Sequence, residues 1–162
     1  MTGPSHPTDA TVRELTDRAA ITEVLYAYAR LVDERDFVAA AAVFTDDCRA
    51  EYGLRDGDTL HSAAAVADWL ARQLDDGTVT SHHLSNVEIG FSDTDHATTT
   101  SYVHAWHRTP GAPVDPMVFA RYVDRLERTP AGWRIAHRQM FAHGLVGFPD
   151  GILRALARRG AA

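Results

Sequence analysis

The stretch VTSHHLSNVEIGF, residues 79–91, decides the fold, because the sequence changes there from helical to strand-like patterning. Further runs of β type follow at 97–108, 117–128 and 133–146, and turn-forming residues separate them in SDTD, TPGAPVDP and TPAG. Long consecutive strands joined by short links predict an antiparallel meander.

Ahead of this stretch, apolar residues recur at the spacing of amphipathic helices. A first helix is predicted from about Leu15 to Val32, with one buried stripe. A second helix, roughly Phe37 to Phe44, can be capped by Asp36, whose side chain can accept from the free amides of the first turn. Helices that precede a run of strands are typical of an α+β domain.

The segment between the second and third helices reads differently. CRAEYGLRDGDTLH predicts two short strands around a turn at Asp56 and Gly57, and Ser62 caps a third predicted helix, AAAVADWLARQL. The tail PDGILRALARRG predicts a short final helix. The expected architecture is three N-terminal helices packed on a strongly curved, mainly antiparallel sheet that encloses a pocket.

Composition is that of an ordinary globular protein. The 162 residues suffice for one domain, which we expect at 13–162 behind a disordered polar leader at 1–12. The net charge of −6 and the scattered arginines argue against nucleic-acid binding. Without a membrane-length apolar run or a signal-peptide pattern, we expect no membrane contact and a cytoplasmic location. Cys48 has no partner for an internal disulfide and is expected to be a small buried hydrophobe.

Asp33 ends the first predicted helix, within YARLVDERD. A carboxylate in the last turn opposes the negative end of the helix dipole by roughly 0.3–1 kcal/mol, so another group should hold it there. One alternative is an Asp33 at the surface that pairs with Arg30 or Arg35, and local sequence alone favours this interpretation. The other is a buried Asp33 that accepts a hydrogen bond from a histidine N–H and thereby fixes the tautomer of that ring.

His82 and His83 cannot both face an interior, because neighbouring residues of a strand point to opposite faces. Leu84 shares a face with His82, whereas the polar Ser85 shares a face with His83. This pattern favours His82 as the inward residue.

Four further residues are candidates to bring polar groups into the pocket. His104 and His107 lie on opposite strand faces in SYVHAWHR, and alternation does not decide between them. Tyr28, in the centre of the first apolar stripe, and Tyr52, on the first strand, would each carry a hydroxyl inward, where it needs a partner.

The sequence lacks the common motifs of metal sites and of nucleophilic catalysis. No HExxH, helical histidine pair or Cys/His cluster is present, and His137 and His143 are separated by about 20 Å of extended strand. No GxSxG is present, and Cys48 has no evident base. We therefore expect no metal site. Asp124, within a strand, is expected to form a structural salt bridge, with Arg138 as a candidate partner.

Three segments together carry a family resemblance: DRAAITEVLYAYARLVDERDFVAAAAVFTDDC, TSHHLSNVEI and RYVDRLERTPAGWRIAHR. Across residues 15–148 the chain resembles the SnoaL-like branch of the nuclear-transport-factor-2-like superfamily. The resemblance implies a cone-shaped α+β roll with a deep pocket, and it implies a homodimer or homotrimer. Enzymes, binding modules and docking proteins all use this scaffold, so the fold does not assign the function.

Within that superfamily, the pattern is most similar to the scytalone-dehydratase-like elimination enzymes, which pair an Asp at the end of the first long helix with a strand His. The resemblance carries catalytic roles onto five residues: His82, Asp33, Tyr28, Tyr52 and His107. Ala105 stands where the bile-acid 7α-dehydratases of this group have a catalytic Asp, which argues against transferring their substrate.

These observations predict a dehydratase-like, cofactor-free lyase or isomerase in which His82 and Asp33 abstract a proton from a hydrophobic cyclic or polyketide-like molecule. We expect four further residues to contact the substrate: Asn86, Tyr122, Met140 and Trp69. Two alternatives stay open. One is a non-catalytic small-molecule-binding or dimerisation module that uses the same pocket. The other is an aldol-type polyketide cyclase with Asp124 as its base.

Overall fold

The computed structural model describes residues 8–74, 77–108, 110–148 and 151–155. Within these residues the helices are α1 (Asp9–Asp33), α2 (Phe37–Ala41) and α3 (Ala63–Gln73), and the strands are β1 (Phe44–Glu51), β2 (Thr59–Leu60), β3 (Val79–Phe91), β4 (His96–Arg108), β5 (Met117–Thr129) and β6 (Gly132–Val146). None of the described helices combines the length and apolar composition needed to cross a bilayer.

The strands form a single curved sheet in the order β2-β1-β6-β5-β4-β3. β1 runs parallel to β6, and every other neighbouring pair is antiparallel, so β3 to β6 form the predicted meander. Register shifts interrupt the ladders, including one between Ser85 and Glu88 on β3 and one between Phe119 and Ala120 on β5. Such bulges bend the strands and increase their twist, which lets the sheet curve around the helices.

The helices cover the concave face of this sheet. The buried stripe of α1 contains Ile21, Leu25 and Tyr28, and it packs against β3 and β6. Two predicted caps are confirmed: the Asp36 carboxylate accepts from the Ala39 amide at α2, and the Ser62 hydroxyl accepts from the Ala65 amide at α3. The α+β fold predicted from the sequence is therefore confirmed, with the pocket between the helices and the sheet.

Two predicted boundaries were wrong. α1 begins at Asp9 behind a Thr8 cap, so residues 9–12, predicted as leader, are helical; residues 1–7 lie outside the described part of the chain. The second helix is shorter than predicted because Phe44 already belongs to β1, where it pairs with Ile135 of β6.

The C-terminal segment also differs from the prediction. Residues 151–155 form a turn and a short bridge instead of a helix, and Ala155 pairs in parallel with Ala142 of β6. The Arg154 guanidinium donates to the Glu51 carboxylate over 2.9 Å, which ties this segment to β1. The later part of the predicted helix, from residue 156, lies outside the described residues.

The outer face of the sheet carries a row of aromatic side chains. The His104 ring stacks on Phe119 with their centroids 4.4 Å apart, and Tyr102 and Phe119 are each more than a third exposed. The homodimer or homotrimer expected from the sequence stays a prediction.

Candidate active site

A cavity of about 200 Å³ lies between the concave face of the sheet, the helices α1 and α3 and the C-terminal segment. Most of its walls are apolar: Val32, Leu70, Val103, Val118, Met140 and Leu153 are among the lining residues. The polar side chains that line it include Tyr28, Tyr52, Arg55, Asp58, His82 and His107. An apolar hollow with a few convergent polar groups is typical of a small-molecule site.

His82 lies on β3 and lines the cavity, while its ring is held from behind by Asp33 at the end of α1. The His82 Nδ1 lies 2.6 Å from the Asp33 Oδ1. Because an ionised carboxylate can only accept, Nδ1 carries the hydrogen and Nε2 is left as the basic nitrogen. Asp33 is not among the residues that line the cavity, so its carboxylate reaches the cavity only through the imidazole.

Three donors from β3 hold the Asp33 carboxylate against the unfavourable end of the helix dipole. Besides the imidazole, the His82 amide donates to Oδ2 over 2.8 Å and the Thr80 hydroxyl donates to Oδ1 over 2.8 Å. Burial raises the pKa of Asp33, but the hydrogen bonds from the side chain and backbone of His82 outweigh it, so the net pKa lies below the usual value. The carboxylate therefore stays ionised at neutral pH, and the surface pairing favoured by local sequence was wrong.

The inward histidines are His82 and His107. His83 points away from the cavity, where its ring nitrogen Nε2 lies 3.0 Å from the Ser81 hydroxyl. His104 packs on the outer face, whereas His107 lines the cavity with its ring centroid 5.8 Å from that of His82. Burial lowers the pKa of His107 and the neighbouring His82 lowers it further, so this ring is uncharged at neutral pH.

Tyr28 and Tyr52 bring their hydroxyls together inside the cavity, with the oxygens 2.8 Å apart. Burial raises the pKa of both hydroxyls, so both keep their protons at neutral pH. One hydroxyl donates to the other, and the second hydrogen of the pair is free to be donated to a ligand oxygen.

The predicted salt bridge between Asp124 and Arg138 is present, and both side chains are completely buried. The Arg138 Nε and Nη2 donate to the two carboxylate oxygens over 2.9 and 2.8 Å. The guanidinium also lies 4.1 Å from the centroid of the Tyr122 ring and 4.4 Å from that of Tyr28. Asp124 does not line the cavity, which leaves it without access to a substrate as the base of an aldol-type cyclase.

Of the residues expected to contact a substrate, Tyr122, Met140 and Trp69 line the cavity and Asn86 does not. The bulge after Ser85 shifts the alternation of β3, so Asn86 is exposed with a left-handed backbone (φ 49°). The expectation for Asn86 came from unbroken alternation, and the bulge makes it wrong.

Some residues of the site were not identified from the sequence. Thr80 lies two positions before His82, on the same strand face, and that spacing was the available signal. Arg55 and Asp58 lie in the loop between β1 and β2, where no periodicity indicates their direction.

Other chemically reactive groups lie apart from this cavity. Cys48 is buried, as predicted, and burial raises the pKa of its thiol to about 11, so it is protonated at neutral pH.

Across residues 8–74, 77–108, 110–148 and 151–155, no three His, Cys, Asp or Glu side chains form a group suited to a metal ion.

Comparison with known proteins identifies relatives over most of the chain. A family model described as "SnoaL-like domain" matches residues 13–139. An uncharacterized protein of Mycobacterium tuberculosis is 31% identical over 139 residues, which cover 78% of this chain and 86% of that protein.

Solved structures that share the fold include two that cover most of this chain. A putative scytalone dehydratase from Novosphingobium aromaticivorans superposes with a TM-score of 0.82 at 23% identity, covering 91% of this chain and 98% of that one. A hexachlorocyclohexane dehydrochlorinase (LinA) of type 2 gives a TM-score of 0.74 at 17% identity, covering 92% and 98%. At these identities the likeness establishes the fold.

Proposed function

Since the chain belongs to the SnoaL-like domain family, we propose that it is a cofactor-free lyase or isomerase that removes a proton from a hydrophobic cyclic small molecule. The observation that carries the proposal is the 2.6 Å contact between His82 Nδ1 and Asp33 Oδ1, on a ring that lines the cavity. The names of the two structural relatives, a dehydratase and a dehydrochlorinase, both denote eliminations and support the same reaction class.

His82 is the general base. With the hydrogen held on Nδ1 by Asp33, the Nε2 lone pair accepts the substrate proton, and the ionised carboxylate stabilises the imidazolium that forms. A base oriented in this way contributes on the order of a hundredfold to ten-thousandfold in rate.

Tyr28, Tyr52 and His107 are the groups that stabilise the oxygen charge. The free hydrogen of the tyrosine pair donates to the substrate carbonyl as it becomes an enolate. The Nδ1 of His107 is buried and has no hydrogen-bond partner among the described residues, so this ring has a nitrogen available to a ligand.

For a β-hydroxyketone the steps balance without a cofactor. The C–H bond next to the carbonyl breaks, its proton goes to His82 Nε2, and its electron pair forms the enolate. The enolate then expels the β-hydroxyl, which takes the proton from the His82 imidazolium and leaves as water. The products are an unsaturated ketone and water, and return of the proton to another carbon would give an isomerisation instead.

Proton abstraction can be tested separately from elimination by hydrogen exchange in D₂O. The substrate probe is 3-hydroxy-1-tetralone, whose loss of water gives 1-naphthol; deuterium uptake next to the carbonyl is read by NMR and naphthol by fluorescence. We expect deuterium uptake and naphthol formation in the wild type, and we expect neither signal above background in His82→Ala. His83→Ala is the matched control, because this neighbour points away from the cavity and should keep activity.

Circular dichroism and thermal unfolding of each variant verify that the fold is intact. Deuterium uptake by His82→Ala at the wild-type rate would reject His82 as the base. Binding of the ketone without exchange in the wild type would favour the alternative, a small-molecule-binding module.

A further inference from the structure

Arg55 is the only arginine that lines the cavity within the described part of the chain, and the chain contains no lysine. Its side chain is 55% exposed, which places the guanidinium where the cavity meets solvent. The chain as a whole is acidic, with a net charge of −6, so a guanidinium at this opening provides a local attraction for an anion at the cavity.

The loop that carries Arg55 is fixed from several sides. The Arg55 amide and Nε both donate to Asp58 Oδ2 over 3.2 Å, and the Trp69 indole donates to Asp58 Oδ1 over 3.3 Å. The Leu54 amide donates to the Ile152 carbonyl over 3.1 Å, which joins the loop to the C-terminal segment. Asp58 is buried, so the carboxylate that orients Arg55 has little freedom to move.

Only one of the three guanidinium nitrogens is used by these contacts. No hydrogen bond engages Arg55 Nη1 or Nη2 among the described residues, and these two nitrogens form the planar fork that matches a carboxylate. Asp58 balances part of the positive charge, which suits an anion of one negative charge better than a doubly charged phosphate ester.

The wall between Arg55 and the base is aromatic. The Tyr52 hydroxyl contacts Tyr28 at the polar centre, the Tyr52 ring stacks on Trp69 with centroids 4.6 Å apart, and Trp69 in turn bonds to Asp58 beside Arg55. A ligand that reaches from His82 to Arg55 therefore runs along flat aromatic surface.

From this arrangement we infer that Arg55 selects substrates bearing a carboxylate, and that the substrate is a flat apolar ring system whose carboxylate lies away from the reacting carbon. This inference rests on the proposed function, because it takes the cavity as the substrate site. Arg55 is a specificity-determining residue in this arrangement and takes no part in the proton transfer.

A matched pair of probes separates charge from shape. 2-Naphthoate and 2-naphthamide have nearly the same size, and only the first is an anion; binding of each is measured by calorimetry. We expect the wild type to bind 2-naphthoate at least about tenfold more tightly than the amide, as a charge-assisted bond implies. Arg55→Gln should remove this preference and leave binding of the amide unchanged.

The control variant is Arg72→Gln, since Arg72 is exposed in the last turn of α3 and does not line the cavity; it should keep the full preference. Equal binding of the two probes by the wild type, or an unchanged preference in Arg55→Gln, would overturn the inference.

The outcome also distinguishes the two proposals. His82→Ala should keep the preference for 2-naphthoate while losing deuterium exchange. If the wild type catalyses deuterium exchange but binds the two probes equally, the role of Arg55 is overturned and the lyase proposal stands. A preference in a wild-type protein that catalyses no exchange would overturn the lyase and leave an anion-selective binding site.

Discussion

The His82 Nδ1 and the Asp33 Oδ1 lie 2.6 Å apart, although the two residues are 49 positions apart in the chain. The contact joins the last turn of α1 to the beginning of β3, and α1 packs along β3. The same carboxylate also accepts from the His82 amide, so it fixes both the position of the strand and the direction of the ring.

We expect Asp33→Asn to lower the rate of deuterium exchange by about 10²–10⁴-fold while the protein stays folded, because an amide no longer fixes the tautomer or stabilises the imidazolium. Exchange into 3-hydroxy-1-tetralone measures the effect. Glu34→Gln is the matched control, since Glu34 is exposed and pairs only with Arg30 in the described structure. A decrease of less than threefold in Asp33→Asn would show that the carboxylate is not needed.

The tyrosine hydroxyls should act as a unit. Because Tyr28 and Tyr52 share one hydrogen bond of 2.8 Å, removing either hydroxyl disturbs the donor that the other presents. Tyr28→Phe and Tyr52→Phe are each expected to lower kcat by about 10–100-fold, and the double variant by much less than the product of the two. Fully multiplicative losses in the double-mutant cycle would contradict a shared role.

The ionised carboxylate of Glu51 should stabilise the folded protein at neutral pH, and this stabilisation should be lost in acid. Burial raises the pKa of this carboxyl, but hydrogen bonds from His137 and Arg154 lower it from an ordinary 4.5 to about 2. The unfolded chain therefore binds the proton first as the pH falls, so the stabilisation is complete above pH 4.5 and is lost towards pH 2.

Glu51→Gln should accordingly lower the free energy of unfolding by about 1–3 kcal/mol at pH 7. Urea unfolding of both proteins at several pH values should show the difference shrinking below pH 4.5. Glu14→Gln, which alters an exposed pair with Arg18, is the control and should change little. A difference between Glu51→Gln and the wild type that is the same at pH 7 and pH 3 would contradict this linkage.

Asn86 tests the bulge on β3. Its φ of 49° is tolerated by Asn and favoured by Gly, whereas Ala should lose about 1 kcal/mol there. Since the side chain is exposed and away from the cavity, both Asn86→Gly and Asn86→Ala should exchange deuterium within twofold of the wild type. A folded Asn86→Gly with much weaker ketone binding would restore the original expectation of substrate contact.

Several features were predictable because they depend on residues close together in the chain. The caps at Asp36 and Ser62 need only a polar side chain and the next helical turn. The placement of His82 towards the interior followed from Leu84 and Ser85, since alternation holds over the few residues before the bulge.

The order of helices and strands, and with it the α+β class, was thus determined by the sequence itself, because hydrophobic periodicity and turn residues act locally. Local residue patterns left open which of His104 and His107 faces the cavity, and they favoured a nearby arginine as the partner of Asp33. The family resemblance implied His107 and the pairing of Asp33 with His82, and only the tertiary structure decided both. Those outcomes depend on strand register, bulges and the packing of α1 on β3, which are set by residues far apart in the chain.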